Sequence, residues 1–305
     1  MKTRVVWLIL CCIWGSTWLF IKIGLHDLPP ITFAGIRFVT SSLILTAIVL
    51  ARGARIPRTR RDWTLIAVSG VLTFTCNYGL VFWGEQYISS GLASLLQSTF
   101  PAFGLVIAHF YLPHERMTIA KVVGVLLGVF GVAVIFSNQL TIAGRMAFFG
   151  SIALVLSAFF GAYGNVLVKA YGGHIDPAAL AAGQMSCGLV PLLTVGVWTE
   201  GNPLKFHWTA PAVIALLYLV LIGSVLAFGL YYWLVRHMAV TKTMLIGLVT
   251  PVVAVTLGMI ALREQFTWRT LAGGACIMAG IGLIVIRSPA KLAVSFAPAA
   301  KSLKG

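Results

Sequence analysis

The sequence predicts an all-α integral membrane protein of ten transmembrane helices, arranged as two inverted five-helix repeats. Three observations carry that reading. The 305 residues are 59% hydrophobic and 10% charged, with a mean hydropathy of +0.97, whereas a soluble domain is about a quarter charged. The apolar residues gather into ten stretches, each near the ~20 residues that cross a bilayer as a helix. Landmarks of the first half then recur, in order, in the second.

The ten stretches run at 5–26, 30–51, 63–84, 88–111, 118–136, 146–170, 176–199, 209–235, 240–262 and 268–287. Stop signals separate them: Pro29-Pro30, the arginine-rich run from Arg55 to Arg61, Asp176-Pro177 and Asn202-Pro203. Proline breaks a helix interior, and Asp or Asn competes for backbone hydrogen bonds. The first stretch follows Lys2 and Arg4 as a secretory signal would. It continues through Trp14, Trp18 and Phe20 without a small-residue cleavage site, so it is expected to persist as helix 1. Cys11, Cys12, Cys76, Cys187 and Cys276 all lie inside apolar stretches with no CxxC pair. Neither a disulfide framework nor a zinc site is indicated, and no metal or other cofactor is expected.

The formal net charge is +15, from 22 Lys and Arg against 7 Asp and Glu. The basic residues sit between apolar segments rather than on one polar face, so no nucleic-acid partner is expected and the excess reads as topology. Ten helices put both termini on one side. Lys2, Arg4, the Arg52 to Arg61 loop, Arg116, Lys121, Lys169, Arg236, Lys242, Arg287, Lys291, Lys301 and Lys304 would share that side. Only Lys22, Arg145, Lys205, Arg263 and Arg269 fall opposite, with Arg37 inside helix 2. Positively charged short loops stay in the cytoplasm. The expectation is an inner (plasma) membrane protein with both termini cytoplasmic and residues 288–305 as a basic tail.

Gly79, Phe82, Trp83 and Pro101 fall on Gly229, Tyr232, Trp233 and Pro251 at one constant offset. At slightly shorter offsets Lys22 and Pro30 fall on Lys169 and Pro177, and Glu115, Thr118, Gly124 and Gly131 on Glu264, Thr267, Gly273 and Gly280. Small changes in loop length give diverged copies such offsets. Residues 1–137 and 146–287 are therefore read as two copies of one unit. Five is odd, so the second copy enters from the opposite side, and such inverted pairs give secondary transporters two related states around a midplane site.

The run Trp14-Gly15-Ser16-Thr17, followed by Ile21, Gly24, Pro29-Pro30, Gly35 and Arg37-Phe38, resembles the start of EamA-type members of the drug/metabolite transporter superfamily. So do Ser90-Gly91-Leu92-Ala93-Ser94 leading to Pro101, and the Glu115 and Glu264 connectors before glycine-rich helices. The match covers nearly the whole chain. It implies a ten-helix inverted repeat, with helices 1, 3, 4, 6, 8 and 9 lining a central cavity and 5 and 10 more peripheral. It also implies, commonly, export of amino acids, related metabolites or toxic compounds. Exchangers of phosphorylated or nucleotide-linked sugars belong to the same superfamily but need cationic side chains deep in the cavity, where Arg37 alone is placed. A channel or a non-transporting scaffold ranks below a carrier. An intramembrane enzyme is not expected, because HExxH, GxSxG and paired buried acids are all missing from the sequence.

On helix 4, Ser90, Ser94, Gln97, Ser98, Pro101 and more distantly His109 share one stripe. A polar stripe on a membrane helix faces a cavity or a partner helix. Helix 3 places Thr73 and Asn77 on one face with Tyr78 adjacent, and helix 6 places Ser157, Gly161 and Asn165 on one face beside Tyr163. Trp14, Ser16, Thr17 and Trp18 lie mid-way along helix 1, and Tyr231, Tyr232 and Trp233 in helix 8. The residues expected to touch substrate are Trp14, Ser16, Thr17, Asn77, Tyr78, Gln97, Ser98, Tyr163, Asn165 and Tyr232. Amides and hydroxyls among aromatic walls suit a small zwitterion or an amphipathic molecule.

Arg37 stands ~10 Å along helix 2 at 1.5 Å per residue, placed to gate that end or to attract a carboxylate. Pro101 and Pro251 are expected as matched hinges. Lys22 and Lys169, near opposite helix ends, are expected to snorkel. Ala120, Gly124, Gly128 and Gly131 form a small-residue seam, as do Ala275, Ala279 and Gly282. Every acid falls at a helix end or in a loop, so proton coupling would fall to Glu85, His109 or the substrate. The partners expected are a small-molecule substrate and the lipid bilayer, with a homodimer left open.

Overall fold

The computed structural model describes residues 2–54, 56–112, 117–138, 144–237 and 246–287, without the side chains of Asn138, Tyr232, Val235, Arg236, Ile286 and Arg287. Glu115, the tail at 288–305 and the Tyr232 side chain therefore lie outside the described residues. The helices are α1 (Lys2–Gly24), α2 (Pro30–Ala51), α3 (Arg60–Glu85), α4 (Ser90–Tyr111) and α5 (Ile119–Asn138). They continue as α6 (Gly144–Tyr171), α7 (Pro177–Glu200), α8 (Ala210–Val220, Leu221–Leu226 and Ala227–His237), α9 (Ile246–Ala261) and α10 (Trp268–Arg287). Among the described residues nine helices are long and apolar enough to cross a membrane. The tenth, α9, has 16 described residues, about 24 Å at 1.5 Å per residue against a hydrocarbon core of about 30 Å.

Side-chain caps start several of these helices. The side chains of Thr59, Ser89, Asp176 and Thr209 each accept a backbone N–H from the first turn of α3, α4, α7 and α8, satisfying donors that a helix start leaves unpaired. Thr118 and Thr267 do the same for Lys121 and Thr270. The end of α2 is set by Gly53 at φ 60°, which lets Ala54 N–H reach back to Val49 O at 3.1 Å. Large apolar side chains such as Leu43, Leu126, Phe130 and Ile260 are more than half exposed on the bundle's outside. So much apolar surface belongs against lipid tails rather than water.

Among the described residues three helices are irregular at mid-length. α4 breaks at Ser98–Thr99, between Ser90–Gln97 and Phe100–Tyr111. Pro101 is the cause: it has no N–H for the Gln97 carbonyl, and its ring crowds that oxygen. α3 widens into a π turn at Val71–Asn77 and α8 into another at Leu221–Leu226. Pro251 lies inside α9 without interrupting it.

The helices of α1–α5 pack against those of α6–α10 in reciprocal pairs: α1 lies on α8 and α9, and α6 on α3 and α4. α5 runs against α10, and α2 against α7. A Cβ on Gly124 would stand 2.6 Å from the Gly280 carbonyl oxygen, and one on Gly131 2.8 Å from Ile277 beside Gly273. The glycines of α10 that face α5 are thus Gly273 and Gly280. This corrects the expected α10 seam: Ala275 and Ala279 are exposed, and Gly282 has nothing near its Cβ position. Small size alone did not say which face turns inward. Ser42 and Ser186 hydroxyls pair at 2.7 Å across α2 and α7.

One end of the bundle is laced shut by polar contacts. Glu200 at the end of α7 accepts from Ile31 N–H at 2.9 Å and Thr32 N–H at 2.7 Å at the start of α2. Glu264 accepts from Ser90 N–H at 2.7 Å and Gly91 N–H at 3.2 Å at the start of α4. Thr209 donates to Asp27, and Lys22 donates to the carbonyls of Glu85 (2.7 Å), Gln86 (3.2 Å) and Ile88 (2.7 Å). The expectation that Lys22 snorkels is overturned: its ammonium caps the C-terminal end of α3, where free carbonyls concentrate negative charge. At the other end His174 pairs with Asp62 at 2.8 Å.

Candidate functional site

The irregular turns bring the polar side chains together. The π turn ends at Asn77, and the α4 break follows Gln97 directly. Gln97 Nε2 donates to Asn77 Oδ1 at 3.1 Å, and Ser157 of α6 donates to Gln97 Oε1 at 2.6 Å. Thr73 lies on the same side as Asn77, since Cβ atoms built on Gly164 and Gly161 of α6 would meet Thr73 Oγ1 and Asn77 Nδ2. Phe100 stands against Gly161 as well. The Thr73 hydroxyl is buried without a hydrogen-bond partner. Ser157 has one proton and two acceptors within 2.6 Å, Gln97 Oε1 and Leu154 O, so it can turn from one to the other. This cluster offers donors and acceptors to a small polar ligand at modest reorganisation cost.

A second centre lies one residue on. Arg37 is buried, and its guanidinium carbon stands 5.0 Å from the Phe38 ring centre, 5.5 Å from that of Tyr78 and 5.9 Å from that of Phe82. Its Nε donates to Ser224 Oγ at 3.3 Å, inside the π turn of α8, and Nη1 has no partner. The Ser224 hydroxyl donates in turn to Leu219 O at 2.9 Å. Aromatic faces stabilise a buried cation without neutralising it, so Arg37 keeps a charge and a spare donor inside the bundle.

The remaining expected residues divide. On α1, Trp14 packs edgewise on Phe228 and at 5.4 Å on Tyr231, both of α8. Thr17 donates to Trp14 O at 2.7 Å, and its methyl faces Gly223 beside Arg37. Ser16 pairs with Tyr218 at 2.7 Å, below the stacked rings of Phe20 and Tyr218. Ser98 is buried and donates to Leu95 O at 2.6 Å. Tyr163 pairs with Tyr111 at the end of α4, while Asn165 and His109 are exposed. Sequence reasoning did not single out Ser224 or Tyr218, whose partners are 187 and 202 residues away. Nor did it show Glu85 as fully buried.

Comparison with known proteins decides the family. The profile of the EamA-like transporter family matches residues 2–137 and 148–286. The chain belongs to the EamA-like transporter family. The uncharacterized transporter YvbV of Bacillus subtilis (strain 168) is 32% identical over 296 residues, covering 96% of this chain and 95% of its own. The uncharacterized inner membrane transporter YedA of Escherichia coli (strain K12) is 30% identical, covering 81% and 78%. A more distant Escherichia coli (strain K12) relative, named a probable amino-acid metabolite efflux pump, is 24% identical over 92% of this chain and 93% of its own. A solved structure with 17% identity matches at a TM-score of 0.65 over 94% of this chain and 98% of that one, a likeness of fold. For this EamA-family protein the membrane-spanning helices and the transporter family are thus set.

Proposed function

We propose that this EamA-family protein is a secondary transporter that moves small metabolites, amino acids or related compounds first among them, outward across the inner membrane. The halves 1–137 and 146–287 form inverted five-helix repeats, with α9 as the tenth span and both termini cytoplasmic. The reciprocal helix pairs, the twin π turns at Val71–Asn77 and Leu221–Leu226, and the two family matches support the duplication. The basic loops support the orientation.

The observation that carries the function is the Asn77–Gln97–Ser157 network, set at a π turn and a helix break and joining α3 and α4 to α6 of the other half. Substrate amino and carboxylate groups would exchange with these hydrogen bonds, while Tyr78, Trp14 and Phe100 wall its apolar part. Arg37 and Ser224 tie α2 to α8 and act as a gate. Pro101 is the hinge of α4, and Pro251 its counterpart in α9. The amino-acid reading leans on the named efflux pump. Counterflow of radiolabelled amino acids in liposomes holding the purified protein tests it: saturable exchange, abolished by Gln97→Ala and Asn77→Ala, is expected. Flux indifferent to substrate concentration would sink the carrier.

A further inference from the structure

Glu85 is the last residue of α3, it has no exposed surface, and neither carboxyl oxygen has a hydrogen-bond partner. Among the described residues the charged groups around it are Lys22 from α1, Arg37 from α2 and Glu264 from the connector before α10. None of them bonds it. The Lys22 ammonium has three donors, and the carbonyls of Glu85, Gln86 and Ile88 use them all. Arg37 is directed at Ser224 among its aromatic rings. Glu264 carries the same sign, and its oxygens hold the Ser90 and Gly91 N–H groups. α6 brings Gly150, Ala153 and Leu154 against the neighbouring Gly84. On α4 the Ser90 hydroxyl is buried and unpartnered too.

A desolvated carboxylate without a hydrogen bond is among the most costly groups to bury, whereas a neutral carboxylic acid is not. The same end is held by the contacts of Glu200, Glu264, Lys22 and Thr209 described above, and three of these four cross between the halves. Parting them would bring water to Glu85, and a hydrated glutamate is ionised at neutral pH.

We propose that Glu85 is a proton-binding site, occupied while this end of the bundle is closed and emptied when it opens. Closing takes up one proton from the medium on that side and opening returns it, so the open fraction rises with pH there. On the transport reading above, which this inference deepens, the proton is the coupled ion.

Two measurements on the full-length protein in lipid nanodiscs, with no substrate added, test the site apart from transport. Infrared spectra should show the carbonyl stretch of a protonated carboxylic acid at neutral pH. That band should shift on carbon-13 labelling of glutamate, vanish in Glu85→Gln and persist in Glu264→Gln. Spin labels placed at Gln86 and Thr199, which line one recess at this end, should move apart as pH rises in the Glu85 protein and stay together at every pH in Glu85→Gln. A missing glutamic acid band, or a distance that ignores pH, overturns the proposal, as does Glu85→Gln tracking the Glu85 protein. Loss of counterflow with the band and the pH-dependent distance intact would instead reject the transport reading and leave the proton site standing.

Discussion

The side-chain amides of Asn77 and Gln97 share a hydrogen bond of 3.1 Å between the end of a π turn and the start of a helix break. Both backbones are locally unwound there, so each amide approaches the other without distorting a regular helix. π turns inside α-helices occur frequently at functional sites. Gln97→Ala removes the donor to Asn77 and the acceptor of Ser157. A polar pair within a membrane bundle contributes roughly 0.6 kcal/mol, up to about 1.7, so the variant should stay folded with Tm a few degrees lower. Counterflow should fall at least tenfold. Asn165→Ala, at an exposed position, should keep most of the exchange.

Pro101→Ala gives residue 101 an N–H for the Gln97 carbonyl and allows α4 to close over Ser98–Thr99. The expected outcome is a more stable and slower protein: a higher Tm with a reduced maximal exchange rate. Pro251 does not interrupt α9, so Pro251→Ala should raise Tm less. Equal effects of the two prolines on exchange rate would count against Pro101 as the principal hinge.

The seam between α5 and α10 separates glycines that look alike in sequence. Gly131 faces Ile277 and the Gly273 backbone, whereas Gly128 has nothing within 4 Å of its Cβ position. Gly131→Ala should cost about 1–3 kcal/mol through overpacking. Gly128→Ala should be neutral or stabilise by up to about 1 kcal/mol through helix propensity. Thermal melts in detergent report both.

Glu264 caps α4 from the other half of the chain. Replacing it with Ala leaves two N–H groups at a helix start without their carboxylate, at a cost of about 1–3 kcal/mol. Since this contact also holds one end closed, labels at Gln86 and Thr199 should report a larger open fraction in Glu264→Ala.

Asp27, in the connector between α1 and α2, is held below the usual carboxylate range by the hydrogen bond from Thr209 first and from His26 second. A carboxyl whose folded value is lowered contributes stability above its unfolded value and loses it as pH falls through the folded one. The Tm gap between the Asp27 protein and Asp27→Asn should be full near neutral pH and narrow on acidification below the ordinary carboxylate range. A gap that widens toward acid would reverse the sign.

Hydropathy and stop signals placed nine of the helices to within a few residues, while the expected start of the ninth stretch at 240 lies outside the described residues; the cost of exposing backbone to lipid forces long apolar runs into helices. Asp176 caps where the Asp176-Pro177 stop signal stood, whereas the caps at Thr59, Ser89 and Thr209 were shown by the structure. Thr73, Asn77, Gln97 and Ser157 were legible as polar residues on inward faces, by spacing alone. The π turns were not legible: nothing in Val71–Asn77 or Leu221–Leu226 signals an extra residue per turn, and the bulge is settled by what packs against it. Lys22 could not be read either. Near a helix end the same side chain can snorkel or cap, and only the position of the α3 terminus chose.

Composition and periodicity specify a membrane helix bundle with repeated landmarks and few interior polar residues, because they report local free energies of transfer and of backbone pairing. Tertiary structure alone decided which of those polar residues meet. Arg37 finds Ser224 and Ser16 finds Tyr218 across 187 and 202 residues, and the Glu85 carboxyl finds no hydrogen-bond partner although it stands at a helix end. Such pairings depend on helix rotation and depth, set by close packing of glycine faces and kinked segments summed over the whole bundle, and no single segment carries that sum.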